Sequence, residues 1–181
     1  MKILKKRYVA IIFVIIVAIV FSLVGIKLSV TRQANKIEEM FYTGVDGETG
    51  IQIYLDNAFN EAKVIHYTVI QYFDEEYTDG LRDAYNGLVN AETIAEKFEY
   101  NEAILAEIES LVPMIETEYD MLDYDQLYLD THMKNMDNIQ KMIENSSYNK
   151  KVAEFEQDVL GSFPVNVLKG ILGLEAPEYF E

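Results

Sequence analysis

The chain has no cysteine and no tryptophan, and among its 181 residues only three prolines and two histidines. Without cysteine there is no disulfide, no thiolate metal site and no lipidated cysteine to serve as an anchor. With proline confined to Pro113, Pro164 and Pro177, long stretches lack the strongest helix breaker. The first 36 positions contain seven Lys and Arg but no Asp or Glu, whereas residues 37–181 contain the other eight basic residues and all 31 acids. A segment of charge +7 thus precedes one of −23, for a net charge of −16. The acidic part excludes nucleic-acid binding by counterion release, which needs clustered Lys and Arg. It is also repelled by an anionic membrane surface.

Signatures of catalysis are missing as well. No Gly-x-Gly-x-x-Gly, phosphate loop, nucleophile elbow or His-Glu-x-x-His occurs. With 31 acids in the chain, paired carboxylates arise by chance and do not by themselves indicate general acid–base chemistry. The chain reads as a non-enzyme, with no catalytic residue, cofactor site or metal centre.

What is present begins with an uncharged run of nineteen residues, Tyr8 to Ile26. As a helix it spans about 28 Å, close to the roughly 30 Å hydrocarbon core of a bilayer. The apolar core of a signal peptide is shorter, about 7–15 residues, and no small-x-small cleavage pattern follows here. Residues 1–7 therefore read as a basic segment, 8–26 as a transmembrane anchor and 27–181 as a helical domain. Lys2, Lys5, Lys6 and Arg7 precede the run, and Lys27, Arg32 and Lys36 follow it. This slight basic excess favours a cytoplasmic amino terminus and an extracytoplasmic acidic domain.

Beyond the anchor, apolar residues recur at intervals of three and four, the helical pattern. Val30, Ala34, Ile37 and Phe41 carry the first helix to about Thr43, and Gly44, Asp46-Gly47 and Thr49-Gly50 mark a turn. A second helix is expected over 51–73, with Leu55, Phe59, Ala62, Val69 and Phe73 on its stripe. A third starts near Leu81 and continues to Val112, where Pro113 breaks or kinks it. A fourth runs over 124–160 through Leu129, Met133, Met136, Ile139 and Ile143. Amphipathic helices with short connections predict an all-α fold, an antiparallel bundle that also admits coiled-coil association into homo-oligomers.

Few side chains invite a site reading. His66, beside the second stripe, fits a hydrogen-bonded histidine at the bundle edge, since no Glu-x-x-His pair of the di-iron type accompanies it. His132, with only Asp130 nearby in sequence, reads as exposed. Asp120, Asp123, Asp125 and Asp130 lack the central Gly of a calcium loop and suit an acidic helix start. Asn101 and Glu102 interrupt the third stripe and require hydrogen-bond partners if buried. Thirteen tyrosines suit bundle edges or a protein-binding face.

The carboxy-terminal stretch from Ser162 to Leu174 is mostly apolar, with Lys169 its one charge. It reads as an apolar cap over 162–181, with docking to a membrane surface or a partner as the sharper alternative. Tyr148-Asn149, Val152, Phe163-Pro164, Asn166, Gly173 and Tyr179-Phe180 follow the order and spacing of the ending of the LemA family of bacterial membrane proteins, which the chain resembles over about residues 144–181. The family's Arg-rich step into a Pro-Asn-Leu pattern is replaced here by Tyr54 to Asn60. The resemblance implies a four-helix antiparallel bundle on a single-pass anchor in the cell membrane, and no enzymatic activity. The expected role is a protein-interaction or scaffold module at the cell envelope, with other membrane or envelope proteins as partners. The alternative is a ligand- or divalent-ion-binding accessory or sensor domain associated with a membrane protease.

Overall fold

The computed structural model describes residues 2–44 and 47–181. Met1 lies outside the described residues, as do Val45 and Asp46 of the expected turn. Among the described residues the protein is all-α, without strands. The helices are α1 (Lys2–Thr43), α2 (Ile51–Val69), α3 (Glu75–Asn90), α4 (Ile94–Glu118), α5 (Asp123–Glu144), α6 (Tyr148–Phe155) and α7 (Val165–Leu172), with a π-helical turn at Glu156–Leu160. Two compact units result, residues 1–38 with 150–177 and residues 39–149 with 178–181.

In the first unit, α1 is long and apolar enough to cross a membrane, a property that signal sequences near an amino terminus share. None of its most apolar stretch is buried within the molecule. Burial starts where the uncharged run ends. Val30 packs with Phe155, Leu160, Val165 and Leu174, and Ile26, Ala34 and Ile37 line the same cluster. The π-helical turn closes with the Gly161 N–H donating to the Glu156 carbonyl at 2.9 Å. The Phe163–Pro164 peptide is cis. Gly173 ends α7 at φ +58°, a left-handed conformation that glycine adopts without a Cβ penalty.

In the second unit, α2 packs against α3, α4 and α5, and α3 packs against α4. Glu61 of α2 meets His132 and Tyr72, in the turn after α2, meets Asp125, so α2 and α5 run in opposite directions. Gly80 faces the Glu107 side chain and Gly87 faces the Tyr100 ring, so α3 and α4 are likewise opposed. A Cβ at Gly87 would overlap that ring, which explains a glycine inside a helix. The core comes from Leu55, Ala62, Ile65, Leu81, Ile104, Ile108, Ile115 and Leu129, each at most 2% exposed.

Several helix boundaries differ from the sequence reading, and α2 ends at Val69 instead of continuing to residue 73. The helix expected from Leu81 to Pro113 is two helices, because Thr93 stops one and starts the next. Its hydroxyl accepts the Glu96 N–H at 3.1 Å, while the Glu96 carboxylate accepts the N–H groups of Thr93 and Glu92. This reciprocal cap satisfies donors that a helix start otherwise leaves unpaired. Pro113 does not break α4, which continues to Glu118. Ile108, Leu111 and Ile115 are buried on either side of it, and that packing outweighs the one backbone donor that proline lacks. The helix expected over 124–160 is interrupted at 145–147, where the Glu48 carboxylate accepts the Ser147 hydroxyl at 2.8 Å and its N–H at 3.1 Å. Asp79-Gly80 lies within α3 instead of ending a connection.

Replacing Thr93 with Ala should lower stability by about 1 kcal/mol, read from chemical unfolding of the full chain in detergent micelles, while Thr93→Asp stays near wild type. Bonds from Ser147 hold the Glu48 carboxyl below its ordinary pKa, and backbone bonds from Thr93 and Glu92 do the same for Glu96. Both groups bind protons more weakly when folded. Their stabilisation is therefore present above the ordinary carboxyl pKa and is lost as pH falls through the lowered values. The melting-temperature gap between wild type and the variant Glu48→Gln, Glu96→Gln should be largest near neutral pH and close on acidification.

Candidate functional site

The densest set of specific contacts in the second unit joins the start of α6 to the carboxy-terminal residues. The Tyr148 hydroxyl donates to the Glu178 carbonyl at 2.7 Å. The Asn149 amide donates to the Phe180 carbonyl and its oxygen accepts the Phe180 N–H, both at 2.9 Å. An Asn side chain here pairs with a backbone residue as a neighbouring strand would. The Glu178 carboxylate then reaches the first turn of α4, accepting the Ile94 N–H at 2.9 Å and the Ala95 N–H at 3.3 Å. A negative group at a helix start is favoured by the helix dipole and by the unpaired amides there. Phe41, fully buried, lies against the rings of Tyr148 at 5.4 Å and Phe180 at 5.8 Å, and Phe98 meets Phe180 edge-on at 5.3 Å.

Four polar pairs tie the helices and their connections together. Asn101, 1% exposed, exchanges two hydrogen bonds with Gln140, at 2.9 and 3.1 Å. This supplies the partner that its position on the third stripe demanded. His132 is half-buried, not exposed as expected, because the Glu61 carboxylate on α2 lies 2.5 Å from its Nδ1. The Tyr72 hydroxyl donates to Asp125 at 2.5 Å, and this bond raises its pKa. His66 is buried, 3.3 Å from the Tyr85 hydroxyl, whose pKa burial pushes up.

Two clefts adjoin these contacts. One of about 200 Å³ has Asn101, Gln140, Phe98 and Phe180 in its lining. A wider one of about 570 Å³ is bordered by Glu48, Tyr54, Asn138 and Lys141. Among the described residues, no group of three or more His, Asp and Glu is placed to hold a metal ion. The start of α5 leaves Leu122, Tyr124 and Leu127 at least 67% exposed, with Tyr128 stacked 6.0 Å from Tyr124. No protein-family model, curated protein or solved structure matches the chain.

The residues singled out from the sequence separate into two groups. Tyr148, Asn149 and Phe180 come together as described, with Tyr179 half-buried beside them in sequence. Val152, Phe163, Pro164, Asn166 and Gly173 belong to the first unit, where Val152 is buried and the other four are exposed. Sequence reasoning missed Glu178, Glu61, Gln140 and Glu48. Each acts on a partner at least 39 residues away, and no local pattern announces such a pairing.

Asn149→Leu removes both bonds to Phe180 and should destabilise the second unit by about 1–3 kcal/mol. Hydrogen exchange at the Phe180 amide should accelerate in that variant, and exchange at the core amide of Leu129 in the same unit should rise with the loss of stability.

Proposed function

We propose that the chain is a single-pass membrane protein of the LemA type, with its acidic segment forming an antiparallel four-helix bundle on the outer side of a bacterial cell membrane. In this reading the bundle performs no reaction. It serves as an interaction or scaffold module for other membrane or envelope proteins. The observation that carries the reading is the exposed patch at the start of α5. Leu122, Tyr124 and Leu127 are 68%, 72% and 67% exposed, and a tyrosine flanked by grouped apolar side chains supplies contact area that a partner can cover. Asp123 and Asp130 border the patch and suit a partner carrying Lys or Arg. The apolar α1 supports the membrane location, and four basic residues before the run against three after it support the outward orientation. A second reading, a ligand-binding accessory domain of a membrane protease, draws on the Asn101–Gln140 cleft.

The absence of cysteine makes one experiment decisive for orientation and role together. Leu127→Cys and the exposed control Glu109→Cys are treated, in intact cells, with a membrane-impermeant thiol-reactive crosslinker. The expected result is labelling of both variants and a discrete, reproducible adduct to another envelope protein from Leu127→Cys alone. Absence of labelling until lysis would overturn the orientation, and labelling without an adduct would overturn the interaction role.

A further inference from the structure

We propose that α7 is an interfacial helix whose outer face, Val167 and Ile171, inserts among lipids together with Phe163 of the preceding turn, at the point where α1 leaves the bilayer. The proposal rests on the reading that α1 spans the membrane.

These three side chains are 83%, 66% and 78% exposed. Val167 and Ile171, four residues apart, form one stripe along α7, and Phe163 lies in the turn just before the helix begins at Val165. The face beside this stripe is already occupied, because Val165 is buried and Leu172 partly buried in the cluster around Val30 and Ile26 of α1. The remaining arc carries Asn166, Lys169 and Gly170, all exposed. A helix of three arcs results: one packed on α1, one apolar and bare, one polar. Lys169 is the one charge between Ser162 and Leu174, and its long stem lets the ammonium reach water while the backbone lies at the membrane surface.

The height of α7 along α1 points to lipid as the occupant. Ile26 is the last residue of the uncharged run and Lys27 the first charge after it. The cluster that seats α7 is centred on Val30, about 6 Å further along the helix. A bilayer about 40–45 Å thick with a hydrocarbon core of about 30 Å has roughly 5–8 Å of headgroup on each side. The packed face of α7 therefore holds it at headgroup depth, and an interfacial helix buries its apolar face about 5–10 Å into that boundary. The bare stripe is also continuous in chemistry with the exposed apolar surface of α1 in the same unit, where Ile16, Val20 and Val24 carry no protein cover. A helix of this kind would brace the span at the surface and limit its tilt.

The absence of tryptophan makes the test clean, since a single introduced indole is the only one in the chain. Phe163→Trp, Val167→Trp and, as a reporter of the span, Ile16→Trp are each made in the full chain and reconstituted in phosphatidylcholine–phosphatidylglycerol vesicles. Brominated phosphatidylcholine is then added with bromine either near the headgroup or deep in the acyl chains. The expected result is blue-shifted emission from Phe163→Trp and Val167→Trp, quenched most by shallow bromine, and Ile16→Trp quenched most by deep bromine. If Ile16→Trp is quenched while both α7 reporters emit as in water, the interfacial helix is overturned and the span stands. If Ile16→Trp escapes quenching, the span fails and the proposal fails with it. Blue-shifted α7 emission that bromine does not quench would mean cover by protein, such as a second copy, and would also overturn the proposal. Circular dichroism of each variant checks that helix content is retained, and the two α7 positions guard against one of them disturbing the turn.

Discussion

The second unit depends on a short length of backbone near the carboxy terminus that has no secondary structure of its own. Residues 178–180 have no regular secondary structure, and their polar groups are answered by side chains from elsewhere: Tyr148 for the Glu178 carbonyl and Asn149 for both groups of Phe180. Such groups, buried without partners, would cost more than their hydrogen bonds contribute when made. Once held, the segment carries two further contacts. Phe180 places its ring between Phe41 and Phe98, and Glu178 completes the start of α4. One ordered tail thereby gathers the end of α1, the first turn of α4 and the first turn of α6.

The same economy recurs at the helix contacts. Asn101 and Gln140 use each other's donors and acceptors, Glu61 answers His132, and Asp125 answers Tyr72. The first two pairs join different helices, the third joins the turn after α2 to α5, and each specifies a register that apolar packing alone leaves loose. These polar atoms are committed to the fold. The Asn101–Gln140 pair also lines the smaller cleft.

Apolar surface that the fold leaves uncovered is concentrated in a few places. In the first unit it lies along α1 and on one stripe of α7. In the second it lies mainly at the start of α5, with single tyrosines such as Tyr67 and Tyr77 elsewhere. Scattered exposed apolar side chains are ordinary, but grouped ones mark surfaces that meet something other than water. The acidic side chains lie among these patches, as at Asp123 and Asp130 beside the start of α5, both exposed.

Much of this was legible from the chain alone, because it rests on local physics. Nineteen uncharged residues make an apolar helix whatever surrounds them, and the end of α1 at Thr43, just before Gly44, follows from backbone preference. The stripes of α2 and α5 were readable for the same reason. The Thr93-x-x-Glu96 cap is present in the sequence but lies under an apolar rhythm that continues across it, and at Pro113 burial on both sides outweighs one missing donor. Of the ending, the sequence determined which residues stand out. Only tertiary structure decided that Tyr148, Asn149 and Phe180 close on one another while Phe163 stays exposed. It likewise supplied Glu61, Gln140, Glu48 and Glu178, since a hydrogen bond between residues far apart in the chain depends on packing that no short window of sequence contains.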